Sequence, residues 1–396
     1  MDITDIAFND TETRAEPGTS AEDGDVTVAG TYRYHKRAFV VISTFAIGNE
    51  PAFDLSLDGG FDRDWLQWKD VPDALKRHHD RVVAGKAWYA AWNAAFDREA
   101  WNNGTADFPP LEPEMMIDIM AQATASNLPP SLEGASRAIG RGGKQNDGKA
   151  LIKLFAPADG GTPQSHPEEW KRYKSYAVRD TAELREVFRH TRPLPLEEWQ
   201  EYWASERINR RGVRVDLDYC ERAHAVATAD KARSNRLIAG YTNGKITKVT
   251  QSKRIADWLW DNLEFSEARD ILTKETVEDP ESEDDFLVSK LSVTRDRVER
   301  LIAYLKSKPR RSNTEEIALA ILELREFGAS AAPLKFRTIL QQHDEGFLRG
   351  QYVFNGAKQT GRFSAKGVQV HNLTRQAIGS RAIEETAIEM LNDLEV

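Results

Sequence analysis

Residues 3–13 read ITDIAFNDTET, and the way this stretch passes from apolar to acidic decides how the chain is read. ITDIAF is short, rich in branched and aromatic residues and bounded by Asn and Asp, as a strand would be. AFVVISTFAI (38–47) and KAWYAAW (86–92) have the same character and predict further strands. Amphipathic stretches at 72–83, 94–102, 115–126 and 131–140 predict helices, as does a long one at 167–191. The long one starts with Glu168 and Glu169 and ends with Arg189 and His190, which suits the helix dipole. Strands followed by long helices predict an α/β domain covering residues 1–192.

Pro193 and Pro195 break the pattern, so RPLPL reads as a linker. Helical periodicity then dominates at 197–209, 218–239, 251–262, 290–307 and 314–328, predicting a mainly α-helical second domain over 193–396. An acidic loop, EDPESEDD (278–285), is the best candidate for a mobile insertion.

The chain has 396 residues, 40% hydrophobic and 30% charged, which is the composition of a globular protein of about two or three domains. Lys and Arg total 54 against 63 Asp and Glu, a net charge of -9, so overall charge cannot attract a polyanion. Nucleic acid could be held only by a local basic patch or through bound metal. The lone cysteine, Cys220, excludes an intrachain disulfide and a thiolate metal cluster. No stretch approaches the roughly 18 apolar residues of a membrane span, and MDITDIAFND lacks the marks of a signal peptide, so the expected location is cytoplasmic.

Asp10 and Glu12, two apart on a strand, point to the same face and present paired carboxylates at its end. Like charges held that close favour a divalent cation, although Asp-x-Glu alone also fits an exposed acidic turn. In WNAAFD (92–97) a strand leads into a helix with Asn93 and Asp97 on one face, and Phe96 directed into the core. In YAVRD (176–180) Tyr176 and Asp180 share a face one helical turn apart. Each pair alone fits ordinary caps and surface charges. Taken together, four carboxylates arrive from a strand, a strand-to-helix junction and a closing helix.

In these three motifs, DTE, NAAFD and YAVRD, the chain resembles the DEDD exonucleases of the tyrosine subclass, which have an RNase H-like fold. The resemblance implies a 3′-5′ exonuclease using two divalent ions, Mg²⁺ or Mn²⁺, to hydrolyse phosphodiesters. Asp10, Glu12 and Asp180 would hold the ion that activates water, and Asp10 and Asp97 the other. Tyr176 would orient the water, and Asn93 would touch DNA. Asp118 resembles an acid that follows the second motif, with a supporting role in hydrogen bonding as good a reading as metal contact. His78, His79 and Asp80 splay apart on a helix and read as a solvated face. Gly140-Arg141-Gly142-Gly143-Lys144 reads equally as a phosphate-touching or a flexible loop.

In the second domain, INRRGVRVD (208–216) reads as a helix stopped by Gly212, and TGRFS (360–364) followed by QVHNL (369–373) interleaves glycines with basic and amide side chains. These segments resemble the family A DNA polymerases, particularly the phage members, in their thumb and at the thumb–palm boundary. That implies DNA contacts at Thr360, Gly361, Arg362, Gln369 and Asn372. The basic residues from Lys290 to Arg311 could grip a duplex backbone, or simply form a solvated face.

The family's palm and fingers motifs should follow this segment, and only residues 376–396, read as an acidic helix, lie beyond Arg375. His343-Asp344-Glu345 spells one of those motifs in the wrong order and reads as a chance match. The expectation is therefore a proofreading-type exonuclease with a thumb-like DNA-binding region, the N-terminal part of a phage family A polymerase, either encoded as a split subunit or truncated, and unable to polymerise unaided. A second polypeptide carrying the palm and fingers is a possible partner. Two alternatives are a catalytically silent DNA-binding or assembly subunit and an RNase D-like RNA-trimming enzyme.

Overall fold

A computed structural model describes residues 1–61, 65–141, 147–263, 266–274, 290–328, 333–357 and 360–372. The readings placed on EDPESEDD, on the acidic tail beyond Arg375 and on Gly142-Gly143-Lys144 fall outside these residues. The described chain is α/β and divides into two compact units, Met1–Asp216 with Thr338–Ala377, and Leu217–Arg337 with Ile378–Val396.

The first unit is built on a five-stranded sheet of order β3-β2-β1-β4-β5. Its strands are β1 (Ile6–Ala15), β2 (Ala38–Ile47), β3 (Phe53–Ser56), β4 (Trp88–Ala91) and β5 (Met116–Asp118). Two short helices, α1 (Val26–Ala29) and α2 (Thr31–Tyr34), lie between β1 and β2, and α3 (Asp73–Val83) precedes β4. After β4 come α4 (Ala94–Gly104), α5 (Ile119–Ala125), α6 (Leu132–Ala138), α7 (Asp147–Phe155), α8 (Pro167–His190) and α9 (Leu196–Arg211).

Alternation along β1 sends Ile6 and Phe8 to one side of the sheet and Ala7 to the other. On the first side they pack with Ile117, Leu184, Val187, Phe188 and the α9 residues Trp199, Tyr202 and Trp203. On the second, Ala7, Phe45 and Tyr89 meet Leu75, Val82 and Trp101 from α3 and α4. Helices on both faces bury the sheet twice. Residues 193–211 thus pack onto the sheet, beyond the Pro193–Pro195 break.

Strand β1 runs through the whole acidic motif to Ala15, where the sequence suggests an end near Phe8. Asn9, Thr11, Thr13 and Arg14 are buried and hydrogen-bonded. Asn9 donates to Ser43 Oγ (3.0 Å) and the Thr44 carbonyl (3.1 Å), and Thr13 bonds Tyr34 (2.8 Å). Arg14 donates to the carbonyls of Phe155 and Gly161, each at 2.8 Å. Two further readings need correction. Residues 115–126 are a strand and then a helix, and His78 and His79 are buried, the first bonding the Trp88 carbonyl (3.1 Å) and the second Tyr89 (3.3 Å).

Gly212, at φ 76°, ends α9, and the short strand β6 (Val213–Arg214) pairs later with Phe347–Leu348. In the second unit, α10 (Leu217–Tyr241), α11 (Ser252–Asn262) and α12 (Ser266–Leu272) lead to the pair β7 (Thr273–Lys274) and β8 (Lys290–Leu291). Helices α13 (Arg295–Ser307) and α14 (Asn313–Gly328) follow, and α15 (Leu334–Gln342) leads back into the first unit. Its core gathers Ile238, Ile255, Leu259, Leu301, Leu305 and Leu322. Much of the basic run is engaged here. Arg295 pairs with Glu299, Lys306 with Glu323, Lys308 with Glu315 and Arg311 with Glu316, while Arg297 donates to the Ile271 and Thr273 carbonyls (both 2.6 Å).

Back in the first unit lie β9 (Phe347–Leu348) and a hairpin of β10 (Tyr352–Ala357) with β11 (Arg362–Ala365). Asn209, in the first polymerase-like segment, fastens the start of β10. Its amide donates to the Tyr352 carbonyl and its oxygen accepts from the Tyr352 N–H, both at 2.9 Å. Asp344 is buried and paired with Arg349 (3.0 Å) and Lys36 (2.8 Å), a structural role consistent with a chance match.

Candidate functional site: an acid-lined cavity beside the central strand

Strand β1 pairs with β2 along its length, but with β4 only at Ile6, Ala7 and Phe8. Beyond Ala91 the chain leaves the sheet through Asn93, at φ 59°, and enters α4. The side of β1 from Asn9 onward therefore lacks a β4 partner, and a cavity of about 1200 Å³ opens there. Its wall includes Asp10 and Glu12 from β1, Asn93, Phe96 and Asp97 around the start of α4, and Tyr176 and Asp180 from α8. Among its described lining residues Lys153 is the single basic side chain, against Asp10, Glu12, Asp25, Asp97, Asp159 and Asp180. Phe96 lines this cavity and stacks on Tyr34 (6.3 Å between centroids) instead of entering the central core.

The electrostatics follow from this crowding. Burial, then the charges of Glu12, Asp97 and Asp180, hold the Asp10 carboxyl well above the usual carboxylate range. Asp97 is raised in the same way by burial, with Asp118 and Glu12 adding to it and Thr11 opposing. Burial pushes Glu12 to about 7, with the Tyr173 hydrogen bond pulling it down and Asp180 pushing it up. Asp180 rises to about 6, mainly through burial and against a hydrogen bond from Tyr176. Tyr176 is raised by burial and by Asp180, so it stays protonated and able to donate. Asp97 Oδ1 is buried without a hydrogen-bond partner.

Neighbouring residues set these positions. Asp118 Oδ1 accepts from the N–H of Asn93 (3.0 Å) and of Met120 (2.9 Å), so it braces the turn and caps α5. The Tyr176 ring lies against Gly148 of α7, where an added Cβ would stand 2.4 Å from the ring. Sequence reading passed over Gly148, and it passed over Tyr173, although Tyr173 lies one helical turn before Tyr176 on the same face.

The oxygen-only donor set and the unpartnered Asp97 oxygen fit hard divalent cations. The residues that would hold them are Asp10, Glu12, Asp97 and Asp180. Among the described residues, however, no group of three His, Cys, Asp or Glu side chains has the spacing of a metal site. The polymerase-like segment lies apart from this wall. Thr360, Gly361 (φ 64°) and Arg362 are exposed at the β10–β11 turn, and Gln369 and Asn372 are exposed just after it, 3.1 Å apart in a hydrogen bond.

The crowding carries a stability signature. Glu12 and Asp180 move from about 4.5 and 3.8 to about 7 and 6 on folding, so the folded chain binds extra protons in that interval. Their contribution to stability should be complete below about pH 4 and be lost as pH rises through 7. In EDTA the melting temperature is expected to drop by roughly 5 °C between pH 5 and pH 8. A Mg²⁺ ion held by these carboxylates in the folded form alone would recover most of the loss at pH 8. A melting temperature insensitive to Mg²⁺ at pH 8 would contradict the cation assignment.

No family model matches the chain. It is 25% identical over 371 residues to a DNA polymerase of Bacillus phage SP02, an alignment covering 89% of this chain and 50% of that protein. The chain thus spans about half the length of that relative. A solved structure, the POL domain of Pol1 from M. smegmatis in complex with DNA primer-template and dNTP, superposes with a TM-score of 0.49 and 10% identity, over 94% of this chain and 53% of that one. Among the described residues no helix is long and apolar enough to cross a membrane. The chain is therefore similar to a phage DNA polymerase over 89% of its own length.

Proposed function

We propose that this chain is a Mg²⁺-dependent 3′-5′ exonuclease of proofreading type, acting on DNA 3′ ends. In this reading the acid-lined domain has an RNase H-like fold, and the later helical part is a thumb-like DNA-binding region of a phage family A polymerase. The observation that carries the proposal is the meeting of Asp10, Glu12, Asp97, Tyr176 and Asp180, from three separate elements, around one cavity. Relationship to a phage DNA polymerase makes DNA the natural substrate.

A wall with six acids and one lysine repels a phosphodiester, so the cavity can accept DNA only with countercharge supplied. Two divalent ions would supply it, neutralising the phosphate and lowering the pKa of water to give the nucleophile. Asp10, Glu12 and Asp180 would hold one ion, and Asp10 with Asp97 the other. Tyr176, whose proton is donated to Asp180, would orient the attacking water through its hydroxyl oxygen. Asn93 and Phe96 form the wall against which the terminal nucleotide rests, and Lys153 offers a charge to a neighbouring phosphate. Thr360, Gly361, Arg362, Gln369 and Asn372 contact the DNA approaching the site. A second polypeptide with palm and fingers would add synthesis.

The test is incubation of the purified chain with a labelled primer-template, matched DNA and RNA single strands, and Mg²⁺, with and without nucleotides. Stepwise shortening of DNA from its 3′ end with release of nucleoside 5′-monophosphates is expected, without extension when nucleotides are added. No shortening in Mg²⁺ or Mn²⁺ would overturn the proposal, and a strong preference for RNA would replace it with an RNase D-like activity.

A further inference from the structure

The cavity wall contains Tyr176 but not Tyr173, yet Tyr173 also bonds a site carboxylate. Its side chain is fully buried on α8, and its hydroxyl donates to Glu12 Oε2 at 2.6 Å. The ring cannot swing away. It stacks on Phe155 (5.3 Å between centroids, 10° between planes) and on Tyr176 (6.5 Å, 17°), and meets Trp170 edge-on (6.0 Å, 69°). Phe155 is itself fixed, because its carbonyl accepts from Arg14 on β1. The phenol is therefore a rigid donor aimed at a flexible acceptor.

We propose that Tyr173 is a positioning residue for Glu12, holding one carboxylate oxygen so that the other stays available to a divalent cation in the cavity. The proposal rests on the functional reading above and extends it to a residue outside the three motifs. A glutamate side chain left free loses rotamer entropy when it is captured. A charge-assisted hydrogen bond from a rigid phenol meets that cost in advance, at folding instead of at cation binding. Removing such a supporting partner typically weakens metal binding by about 10- to 100-fold. Tyr173 touches neither water nor DNA. Its effect is confined to how tightly the cation is held, whereas that of Tyr176 falls on the hydrolytic step.

The experiment compares wild type, Tyr173→Phe, Tyr176→Phe, Glu12→Gln and the Tyr173→Phe/Glu12→Gln pair. Mn²⁺ binding to the free protein is followed by electron paramagnetic resonance, alongside the Mg²⁺ dependence of mononucleotide release. Tyr173→Phe should keep the fold, raise the Mn²⁺ dissociation constant about 10-fold or more, and raise the half-saturating Mg²⁺ concentration in step, with the rate recovering at saturation. Tyr176→Phe should lower the maximal rate and leave the Mg²⁺ requirement in place. In the Glu12→Gln background, Tyr173→Phe should add no further shift. Wild-type-like Mn²⁺ binding in Tyr173→Phe, or a shift that persists without the Glu12 charge, would overturn the positioning role alone. A wild type that neither binds Mn²⁺ nor releases nucleotides would overturn the functional reading and this role with it.

Discussion

Replacing Asp180 or Asp10 by Ala is expected to reduce Mg²⁺-dependent mononucleotide release by on the order of 10³-fold or more, since charge neutralisation by the cations is worth several kcal/mol and each 1.36 kcal/mol is a factor of ten. The two positions serve the same end from different elements, β1 and α8, so their losses should be similar and the double variant little worse than either. Stability should move the other way. Each carboxylate is held above its ordinary range by burial and by its neighbours, so truncation relieves repulsion and the melting temperature at pH 8 should stay level or rise. Active-site loss with undiminished stability separates a functional carboxylate from a structural one. Wild-type activity in either variant would remove the site assignment.

The second large effect is expected at Arg98, the residue after Asp97. Its guanidinium is only 1% exposed and lies 3.2 Å from Glu206 Oε2, 3.4 Å from Glu99 Oε1 and 3.0 Å from the Tyr32 hydroxyl. It ties α4 to Tyr32 of α2 and Glu206 of α9. Arg98→Met keeps the side-chain volume but leaves two buried carboxylates without a countercharge, which typically costs 3–5 kcal/mol. Melting of the first unit should fall by about 10 °C, by near-ultraviolet circular dichroism. Pairing the change with Glu206→Gln should recover part of the loss. A melting temperature within about 2 °C of wild type would show that this buried cluster does not hold the helices together.

The motifs were legible because they depend on local spacing. Asp10 and Glu12 share a face by the two-residue period of a strand, and Tyr176 and Asp180 by the four-residue turn of a helix, and both pairs line the cavity as that geometry requires. What sequence reading missed depends on distant partners. Strand β1 looked finished at Asn9 because polar residues suggest solvent. Yet Ser43, Tyr34 and the carbonyls around Phe155 satisfy Asn9, Thr13 and Arg14 inside the fold. His78 and His79 looked solvated for the same reason, and backbone and phenol partners bury them.

Gly148 shows the opposite limit. Nothing about a glycine next to a loop announces that its missing side chain is the space occupied by the Tyr176 ring. The basic run from 290 to 311 attracts attention by charge alone, and the acids that pair with much of it come from the same helix or from the neighbouring α14. Asp118 carries a motif-like position but spends one oxygen bracing the Asn93 turn, a role that only the left-handed backbone there makes necessary.

The central claim is spatial, and crystals of the chain grown with Mn²⁺ and a nucleoside 5′-monophosphate test it most directly. An anomalous difference map should show two manganese peaks bounded by Asp10, Glu12, Asp97 and Asp180, with the phosphate between them and the Tyr176 hydroxyl facing it. Manganese peaks elsewhere, or a nucleotide bound away from these carboxylates, would contradict the account.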